Sequence, residues 1–288
     1  DEARTFGMEG MFRQIGIYAP FGQKYKPVDA DQLMYYREDQ SGQVLQQGIS
    51  APGAISSWMA AGTSYSVSNV PMLPFYIYYS MFGFQRVGDS AWQAGDMRAR
   101  GFMLGATAGR TTLNGEGLQH EDGQSQVQAS FIPNVRSYDP TFAFEVVTIV
   151  QRGMQRMLAE QQDEYWYLTL MNENYVHPDM PEGSAEGIIK GMYLLKDAGK
   201  GKKGELRVQL MGSGTILREV IAAADLLDAD FGIKADIWSC PSFNELARDG
   251  VDAERWNRLH PEAKAPRKPW VTQQLEGRSG PAIAATDY

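Results

Sequence analysis

Apolar runs bounded by turn residues divide the first part of the chain into helices and strands. Residues 72–81 are almost continuously apolar and follow Asn69 and Pro71. A run of this length suits a strand buried on both faces, although periodicity alone leaves a buried helix open. Small and apolar residues at 54–66 predict a helix that packs closely on the same sheet. Helix and strand would then alternate.

A second helix is indicated by its start signal. Asp139 and Pro140 fall where an N-cap and a first helical residue would stand, ahead of apolar positions at helical spacing from 142 to 154. We therefore predict a helix that starts at Asp139 and ends at 160–163. The next strand is predicted at 165–171.

A polar stretch rich in glycine and lysine, 196–204, is poor in side chains able to pack, and we place a domain junction near 180–205. Beyond it the pattern predicts a βαβ unit with parallel strands. Its strand, tight turn, helix and second strand are 205–211, Gly212-Ser213-Gly214, 215–227 and 235–239.

The two ends of the chain suggest that it is part of something larger. It begins Asp-Glu-Ala, and it stops at Tyr288 directly after an apolar stretch, 282–285, that predicts a strand. We interpret both ends as cuts through a longer protein.

Composition narrows the class of protein. The 288 residues are 43% apolar and 11% aromatic, which is typical of a folded, core-forming chain. A formal net charge of -8 argues against nucleic-acid binding. The single cysteine, Cys240, cannot form an internal disulfide, and no signal segment or long apolar run stands in the sequence. We expect a cytoplasmic protein with no membrane partner.

The most promising titratable residue is His120. It follows a glycine-rich run, 114–119, and precedes Glu121 and Asp122, so that a flexible loop can bring its imidazole to a ligand. Adjacent residues of an extended loop point in different directions, which argues against a metal site here. Proton transfer, substrate contact and a structural role remain open for His120.

Other candidate motifs favour structural roles. Gly212-x-Gly214 opens a helix after a strand, where phosphates bind, but the third glycine of that fingerprint is replaced by Leu217, which favours a tight turn. His177 and His260 each precede a proline in predicted loops, and packing or surface roles suit both.

Several long strings resemble the bacterial homodimeric pyruvate dehydrogenase first component, in that family's order. They include DEARTFGMEGMFRQIGIY from Asp1, PFYIYYSMFGFQR from Pro74, AGDMRARGFMLGATAGRTTLNGEGLQHEDG from Ala94, NENYVHPDMPEG from Asn172, LMGSGTILREV from Leu210 and SFNELARDG from Ser242. The resemblance implies an α/β fold with parallel sheets: a transketolase-like pyrimidine-binding domain at 1–190 and part of an α/β C-terminal domain at 191–288.

The resemblance also implies a cofactor and its contacts. Family members use thiamine diphosphate with Mg²⁺, whose ligands we expect in a diphosphate domain outside this chain. Tyr79 and Phe82 match aromatic positions that line the aminopyrimidine pocket, and His120 matches the histidine that faces the substrate. Asp1 and Glu2 match acidic residues near the same centre.

The sharpest departure from the family is Ala51. After Gln47-Gly48-Ile49-Ser50 the family places a glutamate that hydrogen-bonds the pyrimidine ring and makes its exocyclic nitrogen basic, but here Ala51 and Pro52 follow. Gln124 and Gln126 also replace histidines of many relatives, and an amide does not titrate near neutral pH.

By resemblance, the parent protein decarboxylates pyruvate and passes the acetyl unit to the lipoyl group of a dihydrolipoyl acyltransferase. A second copy or a companion chain would supply the diphosphate domain, so the isolated chain is expected to be inactive. Two alternative hypotheses remain open. The substrate could be another 2-oxo acid such as 2-oxobutyrate, or the protein could be a catalytically impaired or silent subunit, which Ala51 suggests.

Overall fold

The computed structural model describes residues 3, 6–28, 35–113, 115–201 and 204–288. Within them, sheets that are mainly parallel are covered by helices, which confirms the predicted α/β class. The helices are α1 (Glu9–Ile15), α2 (Ala51–Gly62), α3 (Ser64–Val67), α4 (Gly83–Asp96), α5 (Ser125–Ser130), α6 (Ala143–Met154), α7 (Ala185–Lys190), α8 (Gly214–Phe231), α9 (Phe243–Leu259) and α10 (Trp270–Leu275). The strands are β1 (Ile17–Tyr18), β2 (Glu38–Asp39), β3 (Phe75–Tyr79), β4 (Phe102–Ala106), β5 (Val135–Tyr138), β6 (Tyr165–Leu170), β7 (Tyr193–Lys196), β8 (Arg207–Gly212), β9 (Lys234–Ser239) and β10 (Ala282–Ala285).

The first sheet has the order β3-β4-β6-β5, and all its strands are parallel. Its core is strongly aromatic: Tyr165, Trp166 and Tyr167 of β6 are each almost completely buried. Consecutive strand residues point to opposite faces, so both faces of this sheet are covered. The strands predicted at 72–81 and 165–171 are confirmed.

Helix α2 packs on this sheet with its first turn toward the carboxyl ends of the strands. The indole nitrogen of Trp58 donates to the carbonyl oxygens of Pro74 and Phe102 (both 3.0 Å), at the beginning of β3 and β4. Gly62, at the end of the helix, lies against Arg100, just before β4. The helix therefore runs opposite to the strands, and Ala51 lies toward their carboxyl end.

The second sheet has the order β10-β8-β9-β7. Strands β8, β9 and β10 are parallel, which confirms the predicted βαβ unit around α8 and the predicted last strand, while β7 runs antiparallel to β9. Among the described residues, no helix combines the length and apolarity needed to cross a membrane.

The predicted start of the helix at Asp139 and Pro140 is wrong. Helix α6 begins at Ala143, and the carboxylate of Glu145 accepts the backbone N–H groups of Thr141 (2.6 Å) and Phe142 (2.9 Å). Glu145 thus satisfies donors that a capping side chain would otherwise serve. The carboxylate of Asp139 is engaged elsewhere, at the contact between the two sheets.

That contact, which we call the sheet junction, consists of Asp139, Thr169, Ser213 and Thr286. Asp139 accepts hydrogen bonds from the hydroxyls of Thr169 (2.6 Å) and Ser213 (2.8 Å), and Ser213 lies 3.0 Å from the Thr286 hydroxyl. A Cβ at Gly214 would lie 2.4 Å from the Asp139 carboxylate, so only glycine fits beside it. Side chains of both sheets therefore share one buried polar cluster.

A buried ion-pair network also joins the first sheet to α9. Glu164, with only 6% of its side chain exposed, pairs with Arg136 (3.1 Å) and Arg156 (2.5 Å). Arg136 also pairs with Glu245 of α9 at 2.6 Å. The two arginines hold the pKa of Glu164 below its usual value against the opposing effect of burial.

Glu164→Leu is expected to lower the free energy of unfolding by about 3–5 kcal/mol, because it leaves two partly buried arginines short of a partner. Urea denaturation of the chain measures the change. Glu276→Leu is the matched control, since Glu276 pairs with Lys268 while 59% of its side chain is exposed. The control should lose less than about 1 kcal/mol, and equal losses in both variants would refute the assignment.

Candidate active site

Three side chains meet at the carboxyl end of the first sheet. Tyr79 ends β3, Phe82 precedes α4, and His120 lies in the connection that follows β4. The His120 ring is 5.1 Å from the Tyr79 ring and 5.4 Å from the Phe82 ring, both edge-on, and the two aromatic rings are 6.5 Å apart. Ligands of open parallel sheets bind at this end of the strands. The sequence-predicted residues Tyr79, Phe82 and His120 are therefore brought together.

His120 has a polar atom available for a ligand. Its Nδ1 is buried and makes no hydrogen bond within the described part of the chain, while the carboxylate of Glu116 lies 3.5 Å away. Buried polar atoms are normally paired, so an unpaired one calls for an explanation. Sequence reasoning missed Glu116, although its position four residues before His120 was a signal.

Hydrogen bonds to the side chain of Asp122 hold the loop that carries His120, residues 115–124. Asp122 is buried and accepts the backbone N–H groups of Gln124 (3.0 Å) and Ser125 (2.9 Å) together with the Ser125 hydroxyl (2.5 Å). A Cβ at Gly123 would lie 1.5 Å from the Arg110 guanidinium, so a side chain here would require that arginine to move. Asp122 was also missed as a candidate, because its role depends on burial that spacing does not reveal.

The two glutamines that stand in place of histidines have structural partners. Gln124 donates to the Met81 carbonyl oxygen (3.3 Å). Gln126 is buried and donates to the Tyr138 carbonyl oxygen (2.8 Å) and the Thr169 hydroxyl (3.1 Å). These amides connect the loop to neighbouring strands instead of titrating.

Ala51 is the first residue of α2, directly after the N-cap Ser50, whose hydroxyl accepts the N–H of Gly53 (3.3 Å). Its methyl group packs at the margin of the core cluster under α2, and the first turn of the helix contains no acidic residue. The carboxylate that the resemblance places here is absent. Asp1 and Glu2, the other predicted acidic residues, lie outside the described residues.

The remaining motifs behave as structural elements. The backbone N–H of Gly214 donates to the Asp139 carbonyl oxygen (3.0 Å), so the first turn of α8 faces Asp139, which favours the tight-turn interpretation. His177 stacks on Tyr175, with ring centroids 4.6 Å apart, and His260 stacks on Trp256 at 4.4 Å. Cys240 is buried as a free thiol, and burial raises the pKa of that thiol.

Solved structures of transketolases share this fold. The Campylobacter jejuni enzyme superposes with a TM-score of 0.61 at 15% identity, over 98% of this chain and 38% of the transketolase chain. The Leishmania mexicana enzyme gives a TM-score of 0.62 at 13% identity, over 97% and 37% of the two chains. At this identity the likeness concerns the fold.

Sequence comparison identifies much nearer relatives. The pyruvate dehydrogenase E1 component of Pseudomonas aeruginosa is 66% identical over 288 residues, and that of Escherichia coli K12 is 59% identical over 289 residues. In both cases the match covers 100% of this chain and 32% of the relative, so the chain spans about a third of their length.

Two family models match in succession. The C-terminal domain of transketolase-like proteins matches residues 191–288. The middle domain of the pyruvate dehydrogenase E1 component matches residues 1–178, which is more than half of the chain. The chain therefore belongs to the pyruvate dehydrogenase E1 component family.

Proposed function

We propose that this chain is the part of a pyruvate-decarboxylating E1 component that holds the aminopyrimidine ring of thiamine diphosphate. The observation that carries the proposal is the convergence of Tyr79, Phe82 and His120 at the carboxyl end of the first sheet. When bound, thiamine diphosphate supplies a C2 position that adds to the carbonyl carbon of a 2-oxo acid and accepts its electrons. The names of the relatives support pyruvate as the acid.

Each side chain of the cluster has a role suited to its chemistry. Tyr79 and Phe82 present flat, half-buried rings against which a flat heterocycle packs. The Nδ1 of His120 makes no hydrogen bond within the described part of the chain. It is available to donate a proton or a hydrogen bond to the substrate oxygen. The Glu116 carboxylate lies 3.5 Å from that nitrogen. Asp1 and Glu2 are proposed to add negative charge near the same centre.

The side chains at the site suit binding of the aminopyrimidine ring, but they do not include the carboxylate that would activate it. The aromatic wall and the orphaned nitrogen of His120 suit an aminopyrimidine and a substrate. The family's activating glutamate is replaced by Ala51, and the first turn of α2 offers no carboxylate in its stead. This disagreement favours a second candidate, a subunit that binds cofactor but is catalytically impaired.

The rest of the assembly is proposed from the resemblance to the E1 component. Within the described residues, no group of three His, Cys, Asp or Glu side chains is placed to hold a metal ion. We propose that the Mg²⁺ and diphosphate ligands come from a diphosphate domain, in a homodimer or on a companion chain. We propose a division near residue 190 between pyrimidine-binding and C-terminal domains, a lipoyl acyltransferase as acetyl acceptor, and a cytoplasmic location.

Phe82→Ala in the full-length protein is expected to weaken thiamine diphosphate binding about 3- to 12-fold, because an aromatic pair contributes about 0.5–1.5 kcal/mol. Calorimetric titration with the cofactor and Mg²⁺ measures the dissociation constant. Phe21→Ala is the control, since Phe21 is 75% exposed and lies outside the cluster. An unchanged dissociation constant in Phe82→Ala would show that the Phe82 side chain does not contact the aminopyrimidine ring.

A separate experiment compares turnover of pyruvate and of 2-oxobutyrate by the full-length protein, and it decides between those two substrates.

A further inference from the structure

A hydrogen-bonded path leads from the sheet junction toward the His120 loop. The Thr169 hydroxyl donates to the Asp139 carboxylate (2.6 Å) and accepts from the side-chain amide of Gln126 (3.1 Å). On its other side, Asp139 accepts from Ser213 of the second sheet (2.8 Å). Thr169, Gln126 and Asp139 are all buried, so these bonds are shielded from competing water.

The other end of the path is the loop that carries His120. Gln126 lies in the first turn of α5, and Asp122 holds that turn through the N–H groups of Gln124 and Ser125. Asp122 follows His120 by two residues. A displacement of α5 at Gln126 is therefore transmitted to Asp122 and His120 through a short, hydrogen-bonded segment.

A cavity of about 100 Å³ opens beside the carboxylate of Asp139. Gln126, Ser213 and Tyr288 are among the residues that line it. A single water needs roughly 10–15 Å³, so the cavity is large enough to admit water beside the buried Asp139.

The surroundings of Asp139 favour its neutral form. The pKa of this carboxyl is raised to about 7: burial and, to a smaller extent, the charges of Asp287 and Asp122 raise it, and the hydrogen bonds from Thr169 and Ser213 act in the opposite direction. The other titratable groups that interact with Asp139 are tyrosines whose own pKa values burial raises: Tyr167, Tyr175 and Tyr288. None of these groups is a cation that would hold an ionised Asp139.

Both hydrogen-bond partners can accommodate either state. When Asp139 is ionised, Thr169 and Ser213 donate to it. When it is neutral, its own proton needs an acceptor. The Thr169 hydroxyl can then turn to the Tyr138 carbonyl oxygen (3.3 Å), and the Ser213 hydroxyl can turn to Thr286 (3.0 Å). Loss of the proton therefore reverses one hydrogen bond and leaves a buried negative charge, which disfavours the closed junction.

We propose that Asp139 is a positioning residue whose proton holds the sheet junction closed and, through Thr169 and Gln126, holds the His120 loop in place. A carboxyl that is protonated when folded but ionised when exposed contributes stability that is present below about pH 4 and is lost as the pH rises through about 7. Openings of the junction that expose Asp139 become easier over the same interval.

Hydrogen exchange of the full-length protein without cofactor tests this directly. In wild type, protection of residues 115–125 and 207–216, corrected for intrinsic exchange, should fall about 2- to 30-fold between about pH 5 and about pH 9. Asp139→Asn should abolish the fall in both segments, because the amide cannot ionise. A flat wild-type profile, or an unchanged fall in the variant, overturns the proposal.

The Gln126→Met variant tests the hydrogen-bonded path separately from the sheet junction. It keeps the ionisable Asp139 but removes the amide that reaches Thr169, so segment 207–216 should still respond to pH while segment 115–125 no longer does. If the 115–125 segment keeps its response, coupling through Gln126 is refuted. Because these measurements need no cofactor or substrate, their outcome is independent of the proposed function.

A second readout rests on the proposed function. In the pH profile of pyruvate turnover, measured in the Ala51→Glu background so that activity is measurable, the full-length protein should show an ionisation near pH 7 that is lost when Asp139→Asn or Gln126→Met is added. A merely structural role of Asp139 would change the level of activity but not remove one limb from the profile. Retention of that limb in Asp139→Asn contradicts the positioning role.

Discussion

Ala51→Glu in the full-length protein is expected to raise the exchange rate of the thiamine diphosphate C2 proton by about 10²- to 10⁴-fold. Ala51 lies where the resemblance to the family places a glutamate proposed to make the ring's own exocyclic nitrogen basic. A carboxylate is also tolerated there structurally, because residue 51 is the first of α2 and the positive end of a helix dipole favours negative charge. Proton NMR of the exchanging C2 position in deuterated solvent measures the rate.

Ala51→Gln is the matched control, since the amide has nearly the size of glutamate but cannot share a proton with the ring. We expect this variant to raise the exchange rate of the C2 proton only slightly. Equal acceleration by both variants would mean that size rather than charge limits the site. If wild type already exchanges the proton as fast as an active relative, the impaired-subunit candidate is abandoned and another group must replace the glutamate.

The second large effect is expected at His120. His120→Asn, made in the Ala51→Glu background so that activity is measurable, should lower kcat for pyruvate decarboxylation by about 10²- to 10³-fold. The orphaned Nδ1 beside Glu116 is the donor that the site offers to the substrate oxygen, and an asparagine cannot transfer a proton in its place. Turnover with an artificial electron acceptor measures kcat.

His260→Asn is its control, because His260 stacks on Trp256 and bonds to the Trp256 carbonyl oxygen (2.9 Å) outside the cluster. It should leave kcat near the parent value. A His120→Asn variant that keeps full kcat but binds cofactor weakly would assign His120 to the wall of the ring pocket rather than to the reaction.

The strands were predictable because their signal is local. The apolar run at 72–81 has no polar face to offer water, so the burial of β3 on both faces follows from its own composition. The same holds for the βαβ pattern around Gly212 and for the last strand at 282–285. Such elements can be predicted without knowing which other elements they pack against.

The failed prediction at Asp139 had a non-local cause. Asp139 and Pro140 have the composition of a helix start, but two hydroxyls far away in sequence, on Thr169 and Ser213, bind the carboxylate. Glu145, inside the helix, then serves the free N–H groups. A local motif gave way to buried hydrogen bonds that only the folded chain creates.

The candidate site was predicted in part. Tyr79 and Phe82 came from family resemblance, whereas the glycine-rich run before His120 had already indicated that residue; spacing alone does not bring residues of β3 and of the loop after β4 together. Glu116 and Asp122 were missed because their significance depends on one short distance and on burial. The missing carboxylate at position 51 was visible in the sequence, because the resemblance places a glutamate there and the sequence has Ala51.

The most direct test of the account is a structure of the full-length protein with thiamine diphosphate and Mg²⁺ bound. The account predicts the aminopyrimidine ring in van der Waals contact with Tyr79 and Phe82, C2 turned toward His120, and no carboxylate of α2 at the ring. A cofactor seated away from these three side chains would contradict it.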